Sequence, residues 1–235
     1  YYFDNYLDEG SLTAFLQNIG FNGFIAGLNT TLTGMGLTGF SWPEDAATSG
    51  FSLFNASGII MMIIGITVSK TLADRFGKRD VFGASLFLSA LCLLLFYFWS
   101  PQSIAPVFVS QLAHGFFYGI STPVLWAMIA DVADYSEWKN NRRATAIIFS
   151  AMIFGLKAGL SIGGSLVAGI LAVYGYNEQL PVQNPETING IKLSLSVYPM
   201  LTFFVSVGCL FFYEINKKME GRIQQELTAR RGATA

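Results

Sequence analysis

Lys157 is the only charged side chain in an apolar run covering residues 144–174. At a rise of about 1.5 Å per residue it lies roughly 20 Å from either end of that run. A lysine stem can snorkel only a short way, so this ammonium cannot reach a headgroup if the run crosses a bilayer. It then needs a carboxylate partner or a water-filled cavity, and such positions are usually functional. The competing reading is a lysine neutralised by burial or paired for structure alone. The helical repeat puts Gly155, Gly159 and Gly163 on one side, where a smooth ridge suits close helix packing. Lys157 falls on the other side with Ser150, Ser161 and Gly164, the expected lining of a cavity.

Three further groups carry chemistry. Asp131, Asp134 and Glu137 step by three and share a helical face. They can hold a divalent cation or pair with Lys139, Arg142 and Arg143, and the equal numbers of both signs favour pairing. No metal centre is therefore expected. A charge cluster that forms in one state and breaks in another is a suitable gate. The second group is Asp74, Arg75, Gly77, Lys78, Arg79 and Asp80, preceded by Gly65. Gly77 permits a tight reversal between two helices, and Asp80 suits the positive end of the next one. The third is the stripe Gln111, His114, Tyr118 and Ser121, at spacings of three, four and three, with Trp126 farther along near Pro123. Aromatic and hydrogen-bonding groups together suit a sugar ring.

The elements that position these groups read as membrane helices. The chain is 52% hydrophobic and only 12% charged, about half the charge of a typical soluble domain. Five apolar blocks, near 51–69, 81–99, 104–130, 144–174 and 191–213, reach the roughly twenty residues a bilayer core demands. Apolar spans of this length are helical, because lipid leaves no other partner for the backbone. An all-α membrane bundle of about five complete helices follows, occupying residues 51–215.

Of fourteen Lys and Arg residues, twelve lie in alternate loops, after the first, third and fifth spans. The positive-inside rule makes those loops cytoplasmic, so the chain starts outside and its tail, 216–235, is cytoplasmic. Residues 1–50 hold no Lys or Arg and several glycines that weaken helices. They are expected to form the end of a truncated helix and a long outer loop. In that loop residues 12–32 lie along the interface or re-enter the membrane, and Trp42 sits at headgroup level. A second outer loop, 175–190, carries Pro181, Pro185 and three asparagines. Cys92 and Cys209 fall within spans and read as buried thiols.

The run from Ala130, Asp131, Val132, Ala133, Asp134, Tyr135, Ser136, Glu137, Trp138 and Lys139 to Arg143, then Lys157, Ala158 and Gly159, then Tyr174, Gly175 and Tyr176, resembles the glycoside–pentoside–hexuronide:cation symporters. These form the melibiose-carrier branch of the major facilitator superfamily. The Asp74 to Arg79 loop likewise resembles the inter-helix signature of major facilitator transporters. The resemblance implies that the five spans are helices eight to twelve of a twelve-helix carrier, the C-terminal half. It also implies alternating access driven by a Na⁺, Li⁺ or H⁺ gradient, with no cofactor. Lys157 would then couple sugar and cation, helped by Tyr118, His114, Gln111, Trp126 and Ser161. Asp131, Asp134, Glu137, Arg142 and Arg143 would form the inner gate with Asp74, Arg75, Gly77, Lys78 and Arg79.

The cation-binding carboxylates would belong to the N-terminal half of the same chain, a necessary partner. The other expected partners are the solute, the coupling cation and the lipid bilayer of the cell membrane; nucleic acid is not among them. Two departures stand out. Residues 21–50 exceed the family's usual outer loop, and Met152 and Ile153 replace polar groups common in sugar-binding members. A carrier of lipid-like or amphipathic solutes on the same fold is therefore the alternative. From another class, a metal-dependent membrane enzyme would use Asp131, Asp134 and Glu137 and give Lys157 no role.

Overall fold

The computed structural model describes residues 1–39, 41–180 and 182–233, so Pro181 and the last two tail residues lie outside the described residues. Three short helices open the chain: α1 (Tyr2–Asn5), α2 (Glu9–Asn18) and α3 (Phe21–Gly34). Four long ones follow: α4 (Ala46–Phe76), α5 (Lys78–Phe98), α6 (Ile104–Asn140) and α7 (Thr145–Val173). The last span divides into α8 (Pro185–Leu195) and α9 (Val197–Cys209), continued by a 3₁₀ turn at Leu210–Phe212, and α10 (Lys217–Ala233) ends the chain. All of the regular structure among the described residues is helical.

Five helical segments are long and apolar enough to cross a membrane, and they coincide with the five apolar blocks of the sequence. The chain is a multi-pass membrane protein. Their ends have local causes. Asp45 caps α4 by accepting the Thr48 N–H at 2.9 Å, and Asp8 caps α2 by accepting that of Ser11 at 2.8 Å. Gly77 alone separates α4 from α5, and its φ of 96° belongs to glycine, so the expected tight reversal is present. The break between α8 and α9 falls at Ser196, just before Pro199, whose missing N–H leaves the Leu195 carbonyl without its helical donor.

Within the first fifty residues, expected to form a helix end and a long outer loop with 12–32 along the interface or re-entering the membrane, three helices form ahead of α4. The glycines of α3 do not stop a fourteen-residue helix, because Ile25 on one side is buried against the rest of the chain. In α2, Leu12 and Leu16 are fully buried in a core shared with Phe54, Phe96, Val107 and Phe108. Tertiary burial outweighs helix propensity here.

Close helix packing also lies elsewhere than expected. A Cβ placed on Gly155, Gly159 or Gly163 of α7 would meet nothing within 4 Å. The tight contact is between α4 and α6. A Cβ on Gly115 would run into the Gly58 carbonyl, one on Gly119 into that of Met62, and one on Gly65 into that of Phe116. Backbones that approach this closely gain dispersion energy that bulkier residues would forbid. Gly119→Ala is therefore expected to destabilise the protein by about 1–3 kcal/mol, the range for overpacking. Gly159→Ala should stabilise slightly or change nothing. Thermal midpoints of the two purified variants check the contrast.

Helix α7 buries only Leu171, while Phe154, Leu160 and Val173 are more than 70% exposed. A helix this apolar and this bare needs lipid or further protein around it.

Candidate functional site

Helix α6 is longer than a bilayer requires, roughly 55 Å at the helical rise. Its middle faces a cavity and its last three turns carry the charge cluster, so two sites share one element.

The cavity, about 440 Å³, opens between α5, α6, α7 and α9. Phe82 and Leu86 line it from α5; Tyr118, Ser121, Thr122, Leu125 and Trp126 from α6; Met152 and Leu156 from α7; Thr202, Phe203 and Ser206 from α9. None of these side chains is charged. The hydroxyls of Ser121 and Thr122 donate to the Tyr118 carbonyl at 2.7 and 3.2 Å. Those of Thr202 and Ser206 donate to Pro199 and Thr202 at 2.7 and 2.9 Å. Their protons are committed to the backbone, and the oxygen lone pairs stay free to accept. The walls thus offer aromatic faces and acceptors to a neutral solute rich in hydroxyl donors.

The sequence-predicted stripe is only partly brought together. Tyr118 and Ser121 line the cavity with Trp126, whose ring stacks on Phe149 at 6.3 Å. His114 stacks on Tyr118 at 5.8 Å and lies 3.4 Å from the Ser89 carbonyl through Nδ1, next to the cavity wall. Gln111 lies elsewhere, with its side chain against Gly58 on α4. Gln111 shares the side of α6 that carries Tyr118 but lies seven residues nearer the helix start, roughly 10 Å along the axis.

Lys157 follows Leu156 directly and is exposed; among the described residues it makes no hydrogen bond or ion pair. Structural pairing with an aspartate of this segment is not its role. Ser161, one turn beyond it, is exposed and accepts through its carbonyl from the Ser165 hydroxyl at 3.0 Å. Of the two apolar positions preceding Lys157, Met152 faces the cavity and Ile153 does not line it.

At the other end of α6 the acidic residues pair with cations as expected, Asp134 and Glu137 with Arg143 but Asp131 with Lys78 instead. Asp131, 8% exposed, takes both oxygens to the Lys78 ammonium at 2.7 and 2.8 Å, across from α6 to the start of α5. Lys78 also meets Glu220 of α10 at 2.8 Å. Asp134 and Glu137 bind Arg143 at 3.1 and 3.7 Å, and Glu137 also binds Arg231 at 2.7 Å. Lys139 turns from the carboxylates to the Tyr135 hydroxyl at 3.0 Å, since a one-turn step brings those two together. The Arg142 carbonyl accepts from Ser136 at 3.0 Å, and its side chain is exposed. Asp74 and Arg75 contribute carbonyls, which accept from Lys217 at 2.6 and 3.0 Å. Arg79 makes no ion pair among the described residues. Among the described residues no cluster of three His, Cys, Asp or Glu side chains is placed to hold a metal ion.

The sequence reading left 216–235 as a plain tail and missed α10. It is a helix that lays Ile223 and Leu227, both buried, on Val132, Tyr135 and Trp138 of α6. Those two residues, four apart among polar neighbours, were the available signal. Its polar grip is the Trp138 indole N–H donating to Glu226 at 2.6 Å, with Arg222 on the same carboxylate at 2.7 Å. The bond from Arg222, then that from Trp138, holds the Glu226 carboxyl below its ordinary value of about 4.5. A lowered value means the contact is fully in place above that pH and fades as pH falls through the lower folded value. Acidification through that lower value should therefore weaken the Trp138–Glu226 contact, read as a change in tryptophan emission that a Glu226→Gln variant lacks.

A sequence profile described as MFS/sugar transport protein matches residues 45–217, most of the chain and all five spans. The chain belongs to this family. The putative glycoside/cation symporter YagG of Escherichia coli (strain K12) is 30% identical over 176 residues, covering 75% of this chain and 38% of its own length. The inner membrane symporter YicJ of the same organism is 32% identical over 156 residues, 66% of this chain and 34% of its own. The isoprimeverose transporter of Lactiplantibacillus pentosus is 29% identical over 175 residues, 71% and 36%. The chain spans well under half the length of these three relatives. Asp131, Asp134 and Glu137 are each engaged by a cation, Lys78, Arg143 and Arg231 respectively. The resemblance to the glycoside–pentoside–hexuronide:cation symporters agrees with the names of these relatives.

Proposed function

We propose that this chain is the C-terminal half of a cation-coupled secondary transporter that moves a glycoside or related sugar by alternating access. The observation that carries the proposal is the neutral cavity walled by Tyr118, Trp126 and four further hydroxyls, with Lys157, unpaired among the described residues, following its α7 wall residue Leu156 in sequence. Aromatic faces stack on a sugar ring, and acceptor oxygens meet its hydroxyls. Lys157 answers the coupling ion, Na⁺, Li⁺ or H⁺, by pairing in one state with a carboxylate of the other half. The inner cluster on α5, α6 and α10 closes the cytoplasmic side of the cell membrane, with α10 in the cytoplasm, as the positive-inside rule requires. Two observations favour a second cargo class, an amphipathic solute: Met152 and Leu156 face the cavity, and its α5 wall is wholly apolar.

The test is uptake by the full-length parent in proteoliposomes, across a panel of glycosides, with and without imposed Na⁺ and H⁺ gradients. Gradient-dependent accumulation of a sugar supports the proposal and names the ion. Folded protein that accumulates no sugar under either gradient shifts the assignment to amphipathic solutes.

A further inference from the structure

Helices α1 to α3 precede residues 45–217, the region matched to the family. From Gly10 to Pro43 there is no Asp, Glu, Lys or Arg. A water-exposed segment of that length would carry roughly eight charges at average usage. In α3 and just beyond it, Phe21, Phe24, Leu28, Leu32 and Met35 fall at offsets of three, seven, eleven and fourteen, which is one face of a helix. Phe24 and Met35 on that face are 63% and 70% exposed, whereas neighbouring Ile25 is buried in the protein. The opposite face is built of threonine, asparagine and glycine. Its threonine hydroxyls donate back to the helix, Thr30 to Ala26 at 2.8 Å and Thr33 to Asn29 at 2.9 Å, while Thr31, beside Phe24 at the edge of the apolar face, donates to Gly27 at 2.8 Å.

Helix α3 is tied to the segment that leads into α4. Asn29 donates to the Trp42 carbonyl and to Glu44 at 3.0 Å and accepts from the Trp42 N–H at 2.7 Å. Trp42 is 44% exposed and lies four residues before α4, the first span, begins. A tryptophan there marks the headgroup level, so α3 is held at the outer edge of the bilayer.

We propose that α3 is an interfacial helix, with its Phe24 and Met35 face sunk at the headgroup–acyl boundary of the outer leaflet. Without charge, it binds by apolar insertion alone and needs no anionic lipid. Through Leu12 and Leu16 of α2, packed among Phe54 and Phe108, it ties the outer ends of α4 and α6 to that leaflet. Outer-leaflet packing thereby acts on the two helices in closest contact.

Nitroxide labels at Phe24→Cys, Met35→Cys and Thr30→Cys, each in a cysteine-free full-length parent, test this in vesicles of phosphatidylcholine alone. At 24 and 35, oxygen should relax the label more strongly than a water-soluble nickel chelate; at 30 that ratio should invert. All three wild-type side chains are exposed, so the labels displace no packed core. Chelate dominance at 24 and 35 would place the helix in water and overturn the proposal. Exclusion of both reagents there would give the face to protein, the other half or a second copy, and overturn it equally. Neither result depends on which solute is carried.

Discussion

Lys157→Ala in the full-length carrier is expected to abolish uphill accumulation, bringing the concentration ratio across the membrane to about one, while the protein still folds and reaches the membrane. Coupling requires that solute and cation each favour the same state, and a differential interaction is the only source of such linkage. An ammonium deep in a bilayer supplies it, because leaving it unpaired costs several kcal/mol and pairing it removes that cost. Among the described residues Lys157 holds no hydrogen-bond or ion-pair partner whose loss would unfold the bundle. Substitutions at such positions usually change stability by under about 0.5 kcal/mol. Lys157→Arg keeps the charge but exchanges a compact ammonium for a planar fork, so it should retain binding and lose much of the coupling. Solute counterflow, which needs no gradient, separates the two. Undiminished accumulation by Lys157→Ala would remove the lysine from the mechanism and leave only its neighbours on the cavity wall.

The fold was legible where one helix or one turn decides it. Five spans followed from hydropathy, and the single-residue turn followed from Gly77 standing between basic residues, because only glycine fits its φ of 96°. Contacts between distant segments were not legible. Gly155, Gly159 and Gly163 repeat every four residues, as do Gly115 and Gly119, yet only the latter pair meets a facing helix. Spacing reports which residues share a face; it does not report what that face touches. The same limit hid Glu220 and Arg231. Asp131 and Lys78 lie 53 residues apart and were both singled out, but as members of separate loops. Tyr118 and Trp126 were found by chemistry, whereas Thr202 and Ser206, isolated hydroxyls in an apolar span, gave no sign that they complete the cavity.

The junction of Lys78, Asp131 and Glu220 supports the second large effect. One ammonium lies between two carboxylates, 2.7 Å from Asp131 and 2.8 Å from Glu220. Lys78→Met leaves both carboxylates facing each other without their cation. Asp131 is 8% exposed and cannot recover its hydration, so the cost should reach about 3–5 kcal/mol, the range for breaking a buried pair from one side. Asp131→Asn leaves Lys78 with Glu220 and a neutral acceptor, and should cost less, about 1.5–3 kcal/mol for one charged hydrogen bond. The double change Lys78→Met with Asp131→Leu removes both members and should recover most of the loss, because apolar replacement of a buried pair is often neutral. Thermal midpoints of the purified parent give the order: wild type and double variant highest, Asp131→Asn between, Lys78→Met lowest. Since α10 reaches α5 through the same ammonium, Lys78→Met should also expose Lys217 and its neighbours to protease. If Asp131→Asn proves as costly as Lys78→Met, the aspartate serves a partner other than Lys78, and this junction is not the latch that joins the three helices.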